Sequence, residues 1–119
     1  MSAEFDYMSA VEQRRLVARK DISPVELTRR ALERAEATES RLNSFYFLMA
    51  EEALAAAKTA EDAVIKGAPL GLLHRIPFSA KDLMAVGGVR FSSGSRTMAD
   101  NIAEFDAPAV ERARPRARF

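Results

Sequence analysis

Two helix-start signals near the amino terminus constrain the fold of this chain more than any other feature. Ser9 is followed by Glu12, and Ser23 by Glu26, in the spacing of a capping box. In that pattern the Ser side chain accepts from the backbone of the Glu, whose carboxylate bonds back to the backbone N–H of the Ser. Pro24 adds the residue that favours the first helical position. The signals predict helices over about residues 10–20 and 24–40.

A short aromatic run and a third helical pattern follow. Residues 45–48, Phe-Tyr-Phe-Leu, are typical of a short buried strand. Over about residues 51–66, apolar side chains recur at helical spacing and alanine is frequent, which together predict a helix. Gly67, with Pro69 just beyond it, predicts where this helix ends.

The pattern changes from Gly71 onward, where short apolar pieces alternate with small residues. Residues 76–80 and 83–86 are typical of strands or turns on either side of the charged pair Lys81-Asp82. Further on, Asp106 precedes Ala-Pro-Ala-Val and predicts a new helix with Asp106 as its cap. The sequence therefore predicts an α/β fold.

Composition excludes several functional classes. The chain has no Cys and one His, so thiolate zinc sites, a Cys nucleophile and a His metal cluster are excluded. No apolar run approaches the roughly 20 residues of a membrane helix, and no signal-peptide pattern is present. We therefore expect a cytoplasmic protein with no membrane partner, no cofactor and no metal.

The net charge of +1 comes from the end of the chain. Of 18 Lys and Arg, four are clustered near the carboxyl terminus. The other 14 are fewer than the 17 Asp and Glu, so the remainder of the chain is mildly acidic. The four are Arg112, Arg114, Arg116 and Arg118. Since the body carries no basic patch, we expect no nucleic-acid partner.

Lys81 is the candidate catalytic residue. Apolar and small residues flank it, from Phe78 to Met84, and a lysine desolvated by such neighbours has a lowered pKa and can act as a base. The alternative is an ordinary surface lysine paired with Asp82 or another acid, which is the commoner outcome for lysines.

Other candidate residues fit loop or structural roles better. Ser92, Ser93 and Ser95 lack the Gly-x-Ser-x-Gly pattern of a nucleophile elbow, and small hydroxyl residues around a glycine are usual loop material. His74 has no clustered His or acid partner in the sequence, so we expect a structural role. No glycine spacing matches a phosphate-binding loop.

Several motifs follow one another in a characteristic order along the chain. The most specific stretch is residues 71–83, in which Ile76-Pro77 precedes Lys81-Asp82. The other pieces, in chain order, are Ile22-Ser23-Pro24-Val25-Glu26-Leu27, Arg41-Leu42-Asn43-Ser44-Phe45, Ala60-Glu61-Asp62-Ala63, Val86-Gly87-Gly88-Val89, Ser93-Gly94-Ser95 and Asp106-Ala107-Pro108-Ala109-Val110-Glu111-Arg112. Over about residues 11–112, the order of these motifs resembles the amino-terminal segment of the amidase signature family.

The resemblance implies an amide hydrolase acting on carbon–nitrogen bonds of a small carboxylic amide. Family members use a nucleophilic Ser, a second Ser in a cis peptide bond and a Lys, and Lys81 stands at the position of that Lys. As a buried, neutral amine it would accept a proton through the bridging Ser. The resemblance also implies a mixed sheet, to which this chain contributes the amino-terminal helices and first strands. Both Ser positions belong to a stretch farther downstream in the family.

The chain departs from the family pattern at two places. Arg75 replaces the Gly that commonly precedes Ile-Pro, and residues 113–119 diverge into alternating Ala, Pro and Arg. We therefore expect residues 1–112 to be the amino-terminal part of an amidase domain, followed by an Arg-rich tail at 113–119. A truncated or frameshifted product that is inactive alone would explain this end. Leu83 replaces the Asn usual in the glutamine-hydrolysing subunits of amidotransferases, which favours a general amidase.

A second interpretation is a helical interaction module without enzymatic activity, in which the two capped helices bind a partner. The continuous motif over residues 71–83 argues against it, because a helical adaptor would not need that segment. A homo-oligomer is open in either interpretation.

Overall fold

The computed structural model describes residues 3–69, 71, 73 and 76–114. Over these residues the chain forms two compact units, one up to Pro77 and one from Phe78 onward. The α-helices are α1 (Ala10–Arg19), α2 (Pro24–Leu42), α3 (Ala50–Ile65) and α4 (Pro108–Ala113), and short 3₁₀ helices span Ala3–Tyr7 and Arg96–Met98. No helix among the described residues is both long and apolar enough to cross a membrane.

Both predicted capping boxes are present and start their helices where the sequence placed them. At α1 the Glu12 carboxylate accepts from the Ser9 backbone N–H at 3.0 Å, and the Glu12 N–H donates to the Ser9 hydroxyl oxygen at 3.3 Å. At α2 the equivalent distances between Ser23 and Glu26 are 2.8 and 3.1 Å. Each pair satisfies two backbone donors that a helix start would otherwise leave unpaired.

Residues in left-handed conformation follow the first two helices. Lys20 ends α1 with φ at 65°, and Asn43 ends α2 with φ at 47° and its N–H donating to the Glu39 carbonyl at 2.7 Å. Asn tolerates this conformation and can therefore end a helix. Helix α2 accordingly ends at Leu42, directly before Asn43 and two residues beyond the predicted end at residue 40. Gly67, with φ at 70°, follows α3 and confirms the predicted stop.

The helical unit is held by a small apolar core and an ion cluster. Val17, Ile22, Leu27 and Val64 form the buried core, and Phe5, Leu16 and Ile76 pack against it at its margin. At the amino terminus the Asp6 side chain is 1% exposed and accepts from Arg30 at 2.9 Å and from Arg34 at 2.6 Å. The cluster fastens the first 3₁₀ helix to α2, which itself packs against α3.

The strands expected for an α/β fold are not seen among the described residues. Residues 76–80 and 83–86 form no ladder, and the β pairing present is one antiparallel bridge between Arg90 and Ile102. The prediction of a buried strand at residues 45–48 is wrong, because Tyr46 is 52% and Phe47 48% exposed. A strand needs a ladder of backbone hydrogen bonds to a neighbouring segment. Within the described part of the chain these segments form no ladder, although the Ala85 carbonyl accepts one bond from the Ala107 N–H at 2.8 Å.

Candidate functional site

Lys81 lies in the second unit at the start of a tight turn. The Met84 backbone N–H donates to the Lys81 carbonyl oxygen at 2.8 Å and closes the turn. The Lys81 side chain is exposed, and so are Phe78 at 53% and Leu83 at 61%. The prediction that apolar neighbours bury Lys81 is therefore wrong for these residues, because the neighbours themselves face solvent.

The alternative prediction was a surface lysine paired with Asp82 or another acid. Its surface position is confirmed, but its ion pair is not seen among the described residues. Within the described part of the chain, no carboxylate lies within ion-pair distance of the Lys81 ammonium. The Asp82 carboxylate is engaged elsewhere, by backbone and hydroxyl donors of a later loop. Lys81 is thus an exposed amine without a fixed acidic partner among residues 3–69, 71, 73 and 76–114.

Asp82 makes contacts with a later loop that the sequence did not predict. Its Oδ1 accepts from the Ser92 backbone N–H at 3.1 Å, and its Oδ2 accepts from the Ser92 hydroxyl and from the Gly94 N–H, the latter at 3.4 Å. The Ser92 hydroxyl, followed by the backbone donors of Ser92 and Gly94, outweighs desolvation and lowers the pKa of Asp82 below its ordinary range. The carboxylate is therefore ionised at neutral pH.

The loop containing Ser92, Ser93 and Ser95 has the structural role expected of it. Ser92 is 4% exposed, and its hydroxyl is committed to Asp82, so it is not available as a nucleophile. The Ser95 N–H donates to the Ser92 carbonyl at 2.9 Å and closes the loop into a turn. No local signal in the sequence indicates this contact, because Ser92 and Gly94 lie ten and twelve residues after Asp82.

A second aspartate, Asp106, was predicted as a helix cap and has a different role. Helix α4 begins at Pro108 with Ala107 as its cap and no side-chain cap bond. The Asp106 carboxylate instead accepts from the Gly87 backbone N–H at 2.7 Å and from Arg114 at 3.0 and 3.1 Å. The helix was predicted correctly, but its cap was not, because Gly87 competes for the carboxylate from a distant turn.

Backbone bonds around the Arg90–Ile102 bridge join the remaining loops of this unit. The Phe91 N–H donates to the Asn101 carbonyl at 2.9 Å, and the Asn101 side-chain amide donates to the Phe91 carbonyl at the same distance. The Gly88 N–H donates to the Ala103 carbonyl at 2.8 Å. These contacts connect the segment after the Lys81 turn to the segment before α4.

Several residues singled out from the sequence lie outside the described residues. These are His74, Arg75, Arg116 and Arg118, so the expected structural role of His74 and the effect of Arg75 stay predictions. Among the residues that the structure does describe, no group of His, Cys, Asp and Glu is arranged to hold a metal ion.

Comparison with known proteins gives concordant matches. The family model described as Amidase matches residues 26–116. The chain is 44% identical over 92 residues to a glutamyl-tRNA(Gln) amidotransferase subunit of Thioalkalivibrio sulfidiphilus, covering 77% of this chain and 19% of the relative. It is 36% identical over 109 residues to the corresponding subunit of Moorella thermoacetica, covering 92% of this chain and 22% of that relative.

A solved structure is similar as well. It is described by the words "An unexpected vestigial protein complex reveals the evolutionary origins of an s-triazine catabolic enzyme", and it matches with a TM-score of 0.78 and 27% sequence identity. The match covers 83% of this chain and 22% of that one. The 119 residues therefore span about a fifth of the length of the relatives they match.

Proposed function

Because the chain belongs to the amidase family, we propose that it contributes Lys81 as the proton-accepting lysine of an amide hydrolase. In this proposal the complete domain cleaves the carbon–nitrogen bond of a small carboxylic amide by the Ser–cis-Ser–Lys mechanism. The neutral Lys81 amine accepts the proton of the nucleophilic Ser through the bridging Ser, since a Ser hydroxyl is a poor nucleophile until a base takes its proton. The 119 residues alone are proposed to be inactive.

The observation that carries this proposal is the position of Lys81, after Ile76-Pro77 and within residues 26–116 matched by the Amidase family model, together with the lack of an acidic partner among the described residues. A carboxylate beside a lysine stabilises its charged form and keeps the amine protonated, which works against a role as base. Within the described residues the neighbouring acid, Asp82, is held by Ser92 and Gly94 instead. Lys81 is therefore free to bind the bridging Ser that the rest of an amidase domain would supply.

The strands implied by the family also belong to the proposal. We propose that residues 76–80 and 83–86 become strands of a mixed sheet once the downstream part of the domain provides their neighbours. Exposed Phe78 and Leu83 support this, because apolar side chains of this size are usually covered in a complete domain. The proposal further includes a cytoplasmic location, a small-molecule amide as the partner, and a homo-oligomer as the assembly to test.

A component of a tRNA-dependent amidotransferase is the second candidate function. The two curated relatives carry the name of glutamyl-tRNA(Gln) amidotransferase, and their identity of 44% and 36% favours this alternative. Leu83, which follows Lys81-Asp82, favours the general amidase. Both candidates place the same lysine at an amide carbon–nitrogen bond, so they differ in the substrate and not in the role of Lys81.

The test uses a completed chain, in which residues 1–112 of this protein are joined to the corresponding downstream residues of the Thioalkalivibrio sulfidiphilus relative. Ammonia release is measured with simple aliphatic and aromatic amides and with glutamine. We expect hydrolysis by the completed chain, a loss of about 10²–10⁴-fold in Lys81→Ala, and activity close to the parent in Lys66→Ala. Lys66 is the matched control because it is also an exposed lysine without an ion-pair partner among the described residues.

A second completed chain separates the two candidates: residues 1–112 are joined to the downstream residues of a general amidase instead of those of the amidotransferase relative. Higher amide hydrolysis by the chain completed from the general amidase supports that candidate, and higher glutamine hydrolysis by the chain completed from the relative supports the amidotransferase component. Activity of Lys81→Ala within about threefold of the parent would overturn the assignment of Lys81 in both.

A further inference from the structure

The Asp82 carboxylate connects two loops of the second unit. One is the turn that begins at Lys81, and the other contains Ser92 and Gly94, whose N–H groups donate to Asp82 at 3.1 and 3.4 Å. The Ser92 hydroxyl donates to the same carboxylate. Asp82, which directly follows Lys81, is therefore held by donors that lie outside the Lys81 turn.

The loop that Asp82 holds has a backbone conformation that needs support. Ser93 has φ at 52° and Gly94 has φ at 72°, so two successive residues occupy the left-handed region. Side chains disfavour this region, and a Ser there is uncommon. The Gly94 N–H also donates to the Ser92 hydroxyl oxygen at 3.2 Å, so the buried Ser92 side chain is bound from both sides.

The turn on the other side of Asp82 is closed through Lys81 itself. The Lys81 carbonyl accepts from the Met84 N–H at 2.8 Å, while its side chain remains exposed. The backbone of Lys81 is thus held by its own carbonyl and by the side chain of the next residue. Its amine is left free of fixed contacts within the described residues.

We propose that Asp82 is a positioning residue for the amide hydrolysis proposed above: it clamps the Lys81 turn to the loop of Ser92 and Gly94 and so sets where the Lys81 amine points. Asp82 does not touch the substrate in this proposal. The inference rests on the proposed function of Lys81, because positioning matters for the reaction only if Lys81 takes part in it. A misplaced catalytic group can cost about a hundredfold in rate.

The charge of Asp82 makes Asp82→Asn the informative substitution. Hydrogen bonds from Ser92 and Gly94 hold the pKa of Asp82 below its ordinary range, so an ionised carboxylate with two accepting oxygens is the working form. Asparagine has nearly the same shape, but one accepting oxygen and no charge. The substitution therefore weakens the hydrogen bonds from Ser92 and Gly94 to residue 82 without leaving a cavity.

The test compares Asp82→Asn, Ser92→Ala and the control Asp106→Asn in the completed chain. Asp106 also accepts from a distant backbone N–H, that of Gly87, at 2.7 Å, and not from the loop of Ser92. Its other partner, Arg114, lies outside the residues 1–112 that the completed chain retains. We expect Asp82→Asn to lower kcat by about tenfold to a hundredfold with little change in KM. Ser92→Ala is expected to lower kcat by a smaller factor, and Asp106→Asn to leave kcat within about threefold.

Each outcome has a defined meaning. Equal kcat for Asp82→Asn and Asp106→Asn, with Lys81→Ala inactive, would overturn the positioning role and leave the proposed function standing. Full activity of Lys81→Ala would overturn the proposed function, and the positioning role with it. Where Asp82→Asn does not fold, Ser92→Ala decides, because it keeps the carboxylate and both backbone donors: a lowered kcat supports the clamp, and an unchanged kcat contradicts it.

Discussion

Each of the two units of this chain is stabilised internally by a different kind of contact. The helical unit depends on apolar burial around Val17 and Leu27 and on helix starts that are stabilised within a single turn. The unit from Phe78 onward has short helices and loops, and its defining contacts run from Asp82 and Asp106 to backbone N–H groups far along the chain. Local signals thus determine the first unit, and non-local carboxylate contacts determine the second.

The functional consequence follows the same division. The candidate catalytic lysine belongs to the loop unit, where its position depends on hydrogen bonds that Asp82 makes, and not on a packed core. Active sites commonly carry their residues on loops that a scaffold positions. Substitutions in each unit distinguish the two kinds of stabilisation. Their expected effects on the unfolding free energy of the helices range from several kcal/mol to almost none.

The largest effect is expected for Leu27→Ala, because Leu27 is 4% exposed and lies in the apolar core. Removing a buried leucine side chain costs about 2–5 kcal/mol of unfolding free energy. Thermal and urea unfolding, followed by the circular dichroism of the helices, measures it. Val11→Ala, at an exposed position of α1, is the matched control and should change stability by less than about 0.5 kcal/mol. A similar loss in both variants would contradict a core at Leu27.

The next largest effect is expected for the capping boxes. Ser9→Ala and Ser23→Ala each remove a hydroxyl that accepts from the N–H of the third helical residue, at 3.3 and 3.1 Å. Each change is expected to cost about 1 kcal/mol, and the double variant about the sum, because the boxes belong to different helices. Unfolding in urea checks this. Gly at either position should cost less than Ala, and equal losses would contradict a capping role.

Acidification is expected to loosen the first 3₁₀ helix from α2 through Asp6. Hydrogen bonds from Arg30, then Arg34, outweigh desolvation and lower the pKa of Asp6 in the folded state. A carboxyl with a lowered folded pKa contributes stability above its unfolded pKa of about 3.9, and the contribution is lost as pH falls through the folded value. The melting temperature of the parent should therefore fall from pH 5 to pH 2 more steeply than that of Asp6→Asn. Parallel curves would contradict this contribution.

The smallest effect on the helices is expected for Asp82→Asn, although its local effect is strong. The hydrogen bonds of the Asp82 carboxylate go to Ser92 and Gly94, so amide exchange should accelerate at these two residues. The helical signal of α1, α2 and α3 should unfold as in the parent. Hydrogen exchange followed by nuclear magnetic resonance measures both regions at once. Faster exchange throughout α2 and α3 would show that the clamp also stabilises the helical unit.

The helical part of the fold could be predicted from the sequence because its signals act within a few residues. Ser9 and Ser23 mark the first residue outside each helix, and the structure places α1 and α2 directly after them. Gly67 likewise follows α3, which ends at Ile65. In each case the physical cause, a capping bond or a permissive backbone, lies next to the residue that signals it.

The loop part could not be predicted in the same way, because its contacts join residues that are distant in sequence. Asp106 precedes a helix and carries the signal of a cap, but the Gly87 N–H and Arg114 bind its carboxylate instead. Asp82 beside Lys81 suggests an ion pair, but Ser92 binds it from the next loop. The motif around Lys81 indicated the candidate residue, and the structure was needed to show what surrounds it.

Chemical rescue of Lys81→Ala by methylamine in the completed chain tests most directly whether Lys81 is the proton acceptor. Ammonia release from the preferred amide is measured against methylamine concentration at several pH values, with Lys66→Ala as the control. We expect a low rate without methylamine and a rate that rises with the concentration of the neutral amine, since a free base replaces the missing one. A Lys81→Ala rate within about threefold of the parent, and independent of methylamine, would show that Lys81 is not the proton acceptor.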